Sequence, residues 1–258
     1  MEADIRNSTM LRALFESRSF EAVIHLAARA GVRPSLLQPQ LYTEVNVLGT
    51  QLLLELSREF CVPKFIFGSS SSVYGINQKS PFAEADPIFK PISPYAATKL
   101  AGEAFCHVYH HLYGIDAICL RFFTVYGPRQ RPDLAIHKFT GAILRGDPVE
   151  LYGDGHTQRD YTFVDDIVRG IVAALNIPAG FEIINLGGSE AVSLRELVKL
   201  IEQAVGRPAT IRWLPAQPGD VPLTHADISK AKRLLGYAPE VSINQGIPRF
   251  VDWFRNVS

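Results

Sequence analysis

Apolar residues follow two different periods along this chain. Continuous apolar runs are typical of buried strands in a parallel sheet, and they occur at 22–28, 64–67, 116–123 and 182–186. Between these runs, apolar residues recur at helical spacing, which predicts helices at 10–20, 41–60, 93–114, 135–145 and 166–175. Strands that alternate with helices in this way predict an α/β fold with a parallel sheet.

The alternation of long strands and helices becomes less regular in the second half of the chain. Shorter elements take over, and we expect them at 149–152, 194–205, 210–214, 229–235 and 245–254. Residues 77–92 are polar and contain three prolines, so we expect a loop there that lies over the mouth of a ligand cleft. Residues 153–161 are polar and rich in glycine, so we expect a second loop there. We divide the chain into a sheet domain at 1–126 and a smaller lobe at 127–258 that is interleaved with it. The strand near 182–186 is a candidate to return to the first sheet.

Composition narrows the possible functions. With 258 residues, 47% of them hydrophobic, the chain is long enough for a sizeable core. The formal net charge is zero without a basic block, which argues against binding to nucleic acid or a membrane surface. The sequence contains neither an apolar run of about 18 residues, the length of a membrane-spanning helix, nor a signal-peptide pattern. We therefore expect a soluble cytoplasmic protein. Cys61, Cys106 and Cys119 are expected to be buried, reduced thiols, with neither a disulfide nor a metal site.

The most suggestive polar residues lie where the second predicted strand ends. Serines 69–72 follow that strand, and in open parallel sheets ligands bind outside the carboxyl ends of the strands. Ser93 and Pro94 predict a helix start, with a hydroxyl N-cap and proline in the first turn. Tyr95 and Lys99, four residues apart, share a face of that helix. A phenol beside an ammonium suits proton transfer from an alcohol, because the cation favours the phenolate and lowers the pKa of the tyrosine.

By itself, the Tyr-x-x-x-Lys pattern recurs by chance about once in a few hundred residues, and its plainer interpretation is a half-buried tyrosine beside a solvated lysine. With a strand that ends in serines and a proline-started helix, the chain resembles the extended short-chain dehydrogenase/reductase family. That family includes NAD-dependent nucleotide-sugar epimerases and dehydratases. The resemblance implies a Rossmann-like doubly wound sheet with a smaller C-terminal α/β substrate lobe, and catalytic roles for Tyr95, Lys99 and Ser70.

The same resemblance implies NAD as the cofactor. In relatives, the residues that match Asp4 and Ile5 flank the adenine ring, and small residues end the family's fourth strand. The implied cofactor-binding residues are Asp4, Ile5, Ala27, Ala28, Tyr95, Lys99, Phe122 and Val125. The family's opening strand and its glycine-rich turn are not found in the sequence. We therefore expect an N-terminally truncated sheet and a reduced affinity for NAD. The strand at 22–27 is then either an exposed apolar edge or pairs elsewhere, for instance with strands of another chain.

Motifs in the second half of the chain resemble the nucleotide-sugar site of this family. The backbone beside Tyr152 would meet a uracil, and Arg159 would hold a diphosphate through its forked guanidinium. Residues 217–221 resemble a segment that meets the diphosphate and the ribose hydroxyls. The implied substrate-binding residues are Arg33, Ser71, Ser72, Thr124, Arg131, Tyr152, Arg159, Gln217 and Asp220.

Glutamine at position 217 and the segment around Arg131 are most similar to those of the UDP-glucuronate 4-epimerases. A hexuronate carries a carboxylate, which Arg131 and the Thr124 hydroxyl would bind with help from Ser71 and Ser72. A neutral hexose would leave Arg131 unpaired in a partly buried site. The free-energy cost of that unpaired cation would favour binding of the uronate over the neutral hexose. Dehydratase relatives need an acid/base pair where this chain has the two serines, so dehydration is not expected.

Several alternatives stay open at this point. The chain is expected to epimerise a UDP-sugar at C4 through a 4-keto intermediate, with UDP-glucuronate favoured over UDP-glucose. A different class of protein, a non-catalytic nucleotide-sugar-binding or interaction module derived from the same fold, competes with that interpretation. Arg33 could face the substrate or only water. The resemblance also implies a homodimer formed through the helices at 41–60 and 93–114.

Overall fold

The computed structural model describes residues 2–178, 180–188, 190–215 and 221–257. The first half of the chain contains α1 (Ser8–Ser17), β1 (Ala22–His25), α2 (Val32–Leu37), α3 (Pro39–Thr43), α4 (Gly49–Glu59), β2 (Lys64–Ser70), α5 (Pro94–Tyr113), β3 (Asp116–Phe122) and β4 (Thr124–Tyr126). The second half contains α6 (Ala135–Arg145), β5 (Val149–Tyr152), β6 (Gln158–Phe163), α7 (Val164–Leu175), β7 (Phe181–Leu186), β8 (Ala191–Ser193), α8 (Leu194–Val205), β9 (Ile211–Leu214), α9 (Ser229–Leu235) and α10 (Ile243–Val257). A π-helical turn (Glu44–Leu48) joins α3 to α4, and a 3-10 turn (Ser71–Tyr74) follows β2.

A four-stranded parallel sheet in the order β1-β2-β3-β7 organises the fold. The predicted α/β fold with a parallel sheet is therefore confirmed. Among the described strands β1 lies at one edge, where the apolar side chains of Ile24 and Leu26 are exposed. The strand β7 comes from the second half of the chain and lies beside β3.

Helices cover both faces of this sheet, because the buried strands carry apolar residues on both sides. On one face, Phe65 and Phe67 of β2 pack with residues of α1, α4 and α5. On the other face, Ile66 packs with residues of α7 and α9. The alternation along β2 thus determines which helices meet which strand residues.

Two smaller sheets and three helices form the second lobe. Their strand orders are β4-β6-β8 and β5-β9, and the helices α6, α8 and α10 surround a separate apolar cluster that includes Phe250 and Ile201. No helix in the described part of the chain is long and apolar enough to cross a membrane.

Three details differ from the sequence-based predictions. The predicted loop at 153–161 contains the start of strand β6, because the polar Asp160 is buried and accepts hydrogen bonds from the backbone N–H groups of Gly188 (2.6 Å) and Ala226 (3.0 Å). The proline-rich segment after the 3-10 turn was expected over the mouth of the cleft, but its Phe82 is buried and pairs with Ala226. Cys61 is exposed in the turn after α4, while the other two cysteines are buried and all three are free.

Candidate active site

The first turn of α5 is fixed by side-chain hydrogen bonds. Ser93 Oγ accepts one from the backbone N–H of Ala96 (3.1 Å), as expected of an N-cap. Asn46, in the π-helical turn, donates from Nδ2 to Thr98 Oγ1 (3.0 Å), and that hydroxyl donates to the carbonyl oxygen of Tyr95 (2.8 Å). Tyr95 therefore stands on backbone that is held from two sides.

A cavity of about 520 Å³ lies at the carboxyl end of β2. Seven of the predicted site residues line it, namely Ser70, Ser71, Ser72, Tyr95, Thr124, Val125 and Arg131. Tyr95 and Ser70 line it together, and the Ser70 hydroxyl acts to lower the pKa of the phenol. The phenol that the sequence singled out thus faces a serine-lined cavity, as predicted.

Burial and charge act in opposite directions on the pKa of Tyr95. Burial raises the pKa of Tyr95, while the hydrogen bond from Ser70 and the charge of Arg131 act to lower it. Lys99 is also buried, and its Nζ donates to the carbonyl oxygen of Gly68 (2.6 Å). It lies 6.0 Å from the centroid of the Tyr95 ring. The Lys99 ammonium is thus directed at backbone, and that it lowers the pKa of Tyr95 stays a prediction.

Burial also lowers the pKa of Lys99, to about 8. An ammonium has three N–H donors, and the described residues provide one hydrogen-bond acceptor for it, the Gly68 carbonyl. Its other two donors have no hydrogen-bond partner among the described residues, and Lys99, which is 5% exposed, does not line the cavity of Tyr95.

A second cavity, of about 670 Å³, adjoins the first, and Thr124, Gln130 and Leu134 line both. It contains the predicted residues Arg33, Tyr152 and Arg159. The Arg33 guanidinium lies over the Tyr152 ring, 4.9 Å from its centroid. The further cations Lys138 and Arg145 line the same cavity, which suits a ligand with several negative charges.

Arg131 lines the cavity of Tyr95, but it is not the unpaired cation that the sequence suggested. Its Nε and Nη2 donate to the two carboxylate oxygens of Asp133, at 3.0 Å and 2.9 Å, and its side chain is 42% exposed. A neutral sugar would therefore leave Arg131 paired and partly hydrated. The free-energy cost of an unpaired cation therefore does not favour a uronate over a neutral sugar in this structure.

The predicted residues for the adenine end of a cofactor are not brought to either cavity. The Asp4 carboxylate accepts from Arg6 Nε (3.0 Å) and Nη2 (2.8 Å), which holds its pKa at about 2. Ile5 packs against the backbone of Gly49 in α4. Ala27 and Ala28 lie after the end of β1, with Ala27 exposed, and Phe122 ends β3 beside Gly68. Gln217 and Asp220 lie outside the described residues.

Two features were missed by the reasoning from sequence. Gln130 donates from Nε2 to the carbonyl oxygen of Val125 (3.1 Å), and its buried Oε1 has no hydrogen-bond partner in the described part of the molecule. That acceptor lies between the two cavities. Behind the site, Glu103 and Arg121 form a buried ion pair. The spacing from Tyr95 to Lys99 to Glu103, four residues each time, was the available signal for the second feature.

Comparison with known proteins places this site in a family. The chain matches the family model described as GDP-mannose 4,6 dehydratase over residues 1–250. This chain belongs to the GDP-mannose 4,6 dehydratase family. One relative in it, a UDP-glucuronate 4-epimerase from Thermodesulfobacterium geofontis, is 47% identical over 253 residues, or 98% of this chain and 78% of that protein.

Solved structures of related epimerases share the fold of this family member. The UDP-glucuronic acid 4-epimerase from Bacillus cereus, in complex with UDP-glucuronic acid and NAD, is 42% identical with a TM-score of 0.93, over 99% of this chain and 81% of that one. The UDP-glucose 4-epimerase from Thermus thermophilus, in complex with NAD, is 33% identical with a TM-score of 0.94, over 99% and 84%. The resemblance to the NAD-dependent epimerases and the Rossmann-like fold are confirmed.

Proposed function

We propose that this chain epimerises UDP-glucuronate and UDP-galacturonate at C4, with NAD as a retained cofactor. The observation that carries the proposal is the pair of adjoining cavities. One contains the hydroxyls of Tyr95 and Ser70, and the other is lined by three arginines and a lysine together with the carboxylates of Asp133 and Glu150. A sugar in the first cavity and a nucleoside diphosphate in the second would match the two ends of a UDP-sugar.

The chain's own residues would move the proton. Tyr95, assisted by Ser70, would take the proton of the sugar 4-hydroxyl and later return it. NAD, when bound, would supply the acceptor for the C4 hydride and give it back, so that no net oxidation occurs. Arg159 and Arg33 would hold the diphosphate while the sugar turns within the first cavity.

The fit of NAD to this chain rests on Lys99 and on the backbone around Gly68. The two free N–H donors of Lys99 suit the hydroxyls of a nicotinamide ribose. A Cβ at Gly68 would lie 3.0 Å from Leu26 and 3.2 Å from Phe122, so both side chains would have to move to admit one where β2 passes Phe122.

The choice of a uronate rests on cations and hydroxyls in the cavity of Tyr95. Arg129 and Arg131 both line it, together with the hydroxyls of Ser71, Ser72 and Thr124. A carboxylate on C5 could accept from these donors, whereas a neutral hydroxymethyl group makes weaker hydrogen bonds. The 47% identity with a UDP-glucuronate 4-epimerase, against 33% with a UDP-glucose 4-epimerase, supports the same choice.

The test is an assay of the purified chain with added NAD. We expect interconversion of UDP-glucuronate and UDP-galacturonate, followed by separating the two on an anion-exchange column. UDP-glucose should react more slowly by at least about tenfold. Turnover of UDP-glucose without turnover of UDP-glucuronate would overturn the substrate class. Stabilisation by UDP-sugars without any turnover at saturating NAD would favour the non-catalytic binding module.

Replacing Arg131 by methionine is expected to raise KM for UDP-glucuronate by about tenfold, because one charge-assisted bond to the carboxylate is lost. KM for UDP-glucose should change little. Arg12→Met is a matched control, since Arg12 forms an exposed two-bond pair with Glu59 far from both cavities. An equal rise in KM for both UDP-sugars would mean that Arg131 does not bind the carboxylate of the uronate.

We also propose that the chain forms a homodimer through α4, the π-helical turn and α5. Leu48, Val108 and Leu112 lie exposed on these elements, which would be costly on a free surface. Leu112→Glu is expected to convert a dimer into monomers, as measured by light scattering. Val172→Glu, on the exposed side of α7, should leave the mass unchanged. A monomeric parent chain, or a dimer that survives Leu112→Glu, would contradict this interface.

A further inference from the structure

Three side chains of α5, spaced four residues apart, face the last three residues of β2. Tyr95 lines the same cavity as Ser70, and Lys99 Nζ donates to the carbonyl oxygen of Gly68 (2.6 Å). One turn further along the helix, Glu103 Oε1 accepts from the hydroxyl of Ser69 (2.6 Å). Three consecutive residues of the strand therefore each lie beside one of these three side chains.

The third of these side chains is anchored to the next strand. Arg121 of β3 pairs in register with Ser69 and donates from Nε (2.9 Å) and Nη2 (2.8 Å) to the two oxygens of Glu103. The exposed fractions of the two ionic residues are 1% and 3%. Screening by solvent is weak at such a site, so the charge of Glu103 acts on its neighbours at short range.

We propose that Glu103 is a positioning residue of the active site, which fixes Ser69, and through it Ser70, against α5 and sets the charge one helical turn from Lys99. This inference rests on the proposed epimerase function and deepens it, because none of the sequence motifs assigned Glu103 a role. Glu103 does not line either of the two cavities described above, so it would act through Ser70 and Lys99 and would not touch the substrate.

The charged and titratable groups around Lys99 point the same way. They are Tyr95, Glu103 and Cys106 on α5, His25 on β1, and Arg121 and Cys119 on β3. Burial lowers the pKa of Lys99 to about 8, and Cys106 and then Glu103 oppose that change. The carboxylate of Glu103 forms its ion pair with Arg121. Removing that charge would therefore lower the pKa of Lys99 further, and the unpaired Arg121 would add to the effect.

The experiment is Glu103→Gln, which keeps the side-chain size and an acceptor for Ser69. In the pH profile of kcat we expect the alkaline limb, which reports Lys99, to move to lower pH by at least about half a unit. A lysine-labelled NMR titration, in which Lys99 is assigned by its loss in Lys99→Met, should show the same movement without any turnover. If the parent chain turns over no substrate, the proposed function fails and the titration still decides the role of Glu103.

Two further variants separate the parts of the proposal. Ser69→Ala removes the contact to the strand but keeps the charge, so we expect a lower kcat with the alkaline limb unmoved. Glu59→Gln, which removes an exposed carboxylate paired with Arg12, should change neither. If Glu103→Gln does not fold, the double variant Glu103→Gln/Arg121→Gln, which leaves no unpaired charge, is measured instead. An unmoved Lys99 titration in the folded variant would overturn the proposal.

Discussion

Tyr95→Phe is expected to lower kcat for the interconversion of UDP-glucuronate and UDP-galacturonate by about 10²- to 10⁴-fold, the usual contribution of a positioned acid or base. KM should change little, because the ring still fills its place in the serine-lined cavity. The variant removes one hydroxyl from the serine-lined cavity and leaves the N-cap of α5 as it is.

The pH profile gives this prediction a second readout. Because burial raises the pKa of Tyr95, its proton is held at neutral pH, and kcat should rise as the pH increases toward that pKa. The rise should end near pH 8, where Lys99 loses its proton. Tyr113→Phe is the control, since Tyr113 lies exposed at the far end of the same helix. A Tyr95→Phe enzyme that keeps more than about a tenth of the activity would remove Tyr95 from the chemistry.

The placement of Tyr95 could be predicted because its signals are local. Ser93 and Pro94 determine where α5 begins, and Gly114 determines where it ends, through backbone preferences that depend on few neighbours. The four-residue spacing then sets the relation of Tyr95 to Lys99. Strand β2 was equally clear from its continuous apolar run.

The remaining features depend on residues that are distant in sequence. Strand β6 was missed because Asp160 is tolerated in its interior only through backbone N–H groups supplied by Gly188 and Ala226. The pKa of Tyr95 depends on burial, and the direction of the Lys99 ammonium depends on the Gly68 carbonyl. A four-residue spacing predicts that two side chains are close on a helix. It does not predict how far they are buried or where the ammonium points, so neither the pKa of Tyr95 nor the contact of Lys99 could be predicted from it.

Arg121→Met is expected to lower the free energy of unfolding by about 3–5 kcal/mol, since it leaves the Glu103 carboxylate buried with Ser69 as its remaining partner. Urea unfolding followed by circular dichroism measures the change. Removing one partner of the exposed pair between Arg58 and Glu55 should cost less than about 1 kcal/mol, because water replaces the lost contact. A loss from Arg121→Met as small as this control would mean that the buried charges are hydrated.

The double variant Glu103→Leu/Arg121→Met should recover most of that loss. In the parent chain Arg121 Nη1 is buried without a hydrogen-bond partner among the described residues, and the guanidinium lies over the ring of Tyr74 at 4.8 Å. The desolvation of this cation is therefore only partly compensated, and apolar side chains of similar size would avoid it. A stable double variant with little activity would mean that the ion pair is kept for the position of Ser69 and the charge of Lys99. A double variant as unstable as Arg121→Met would instead make the pair a net source of stability.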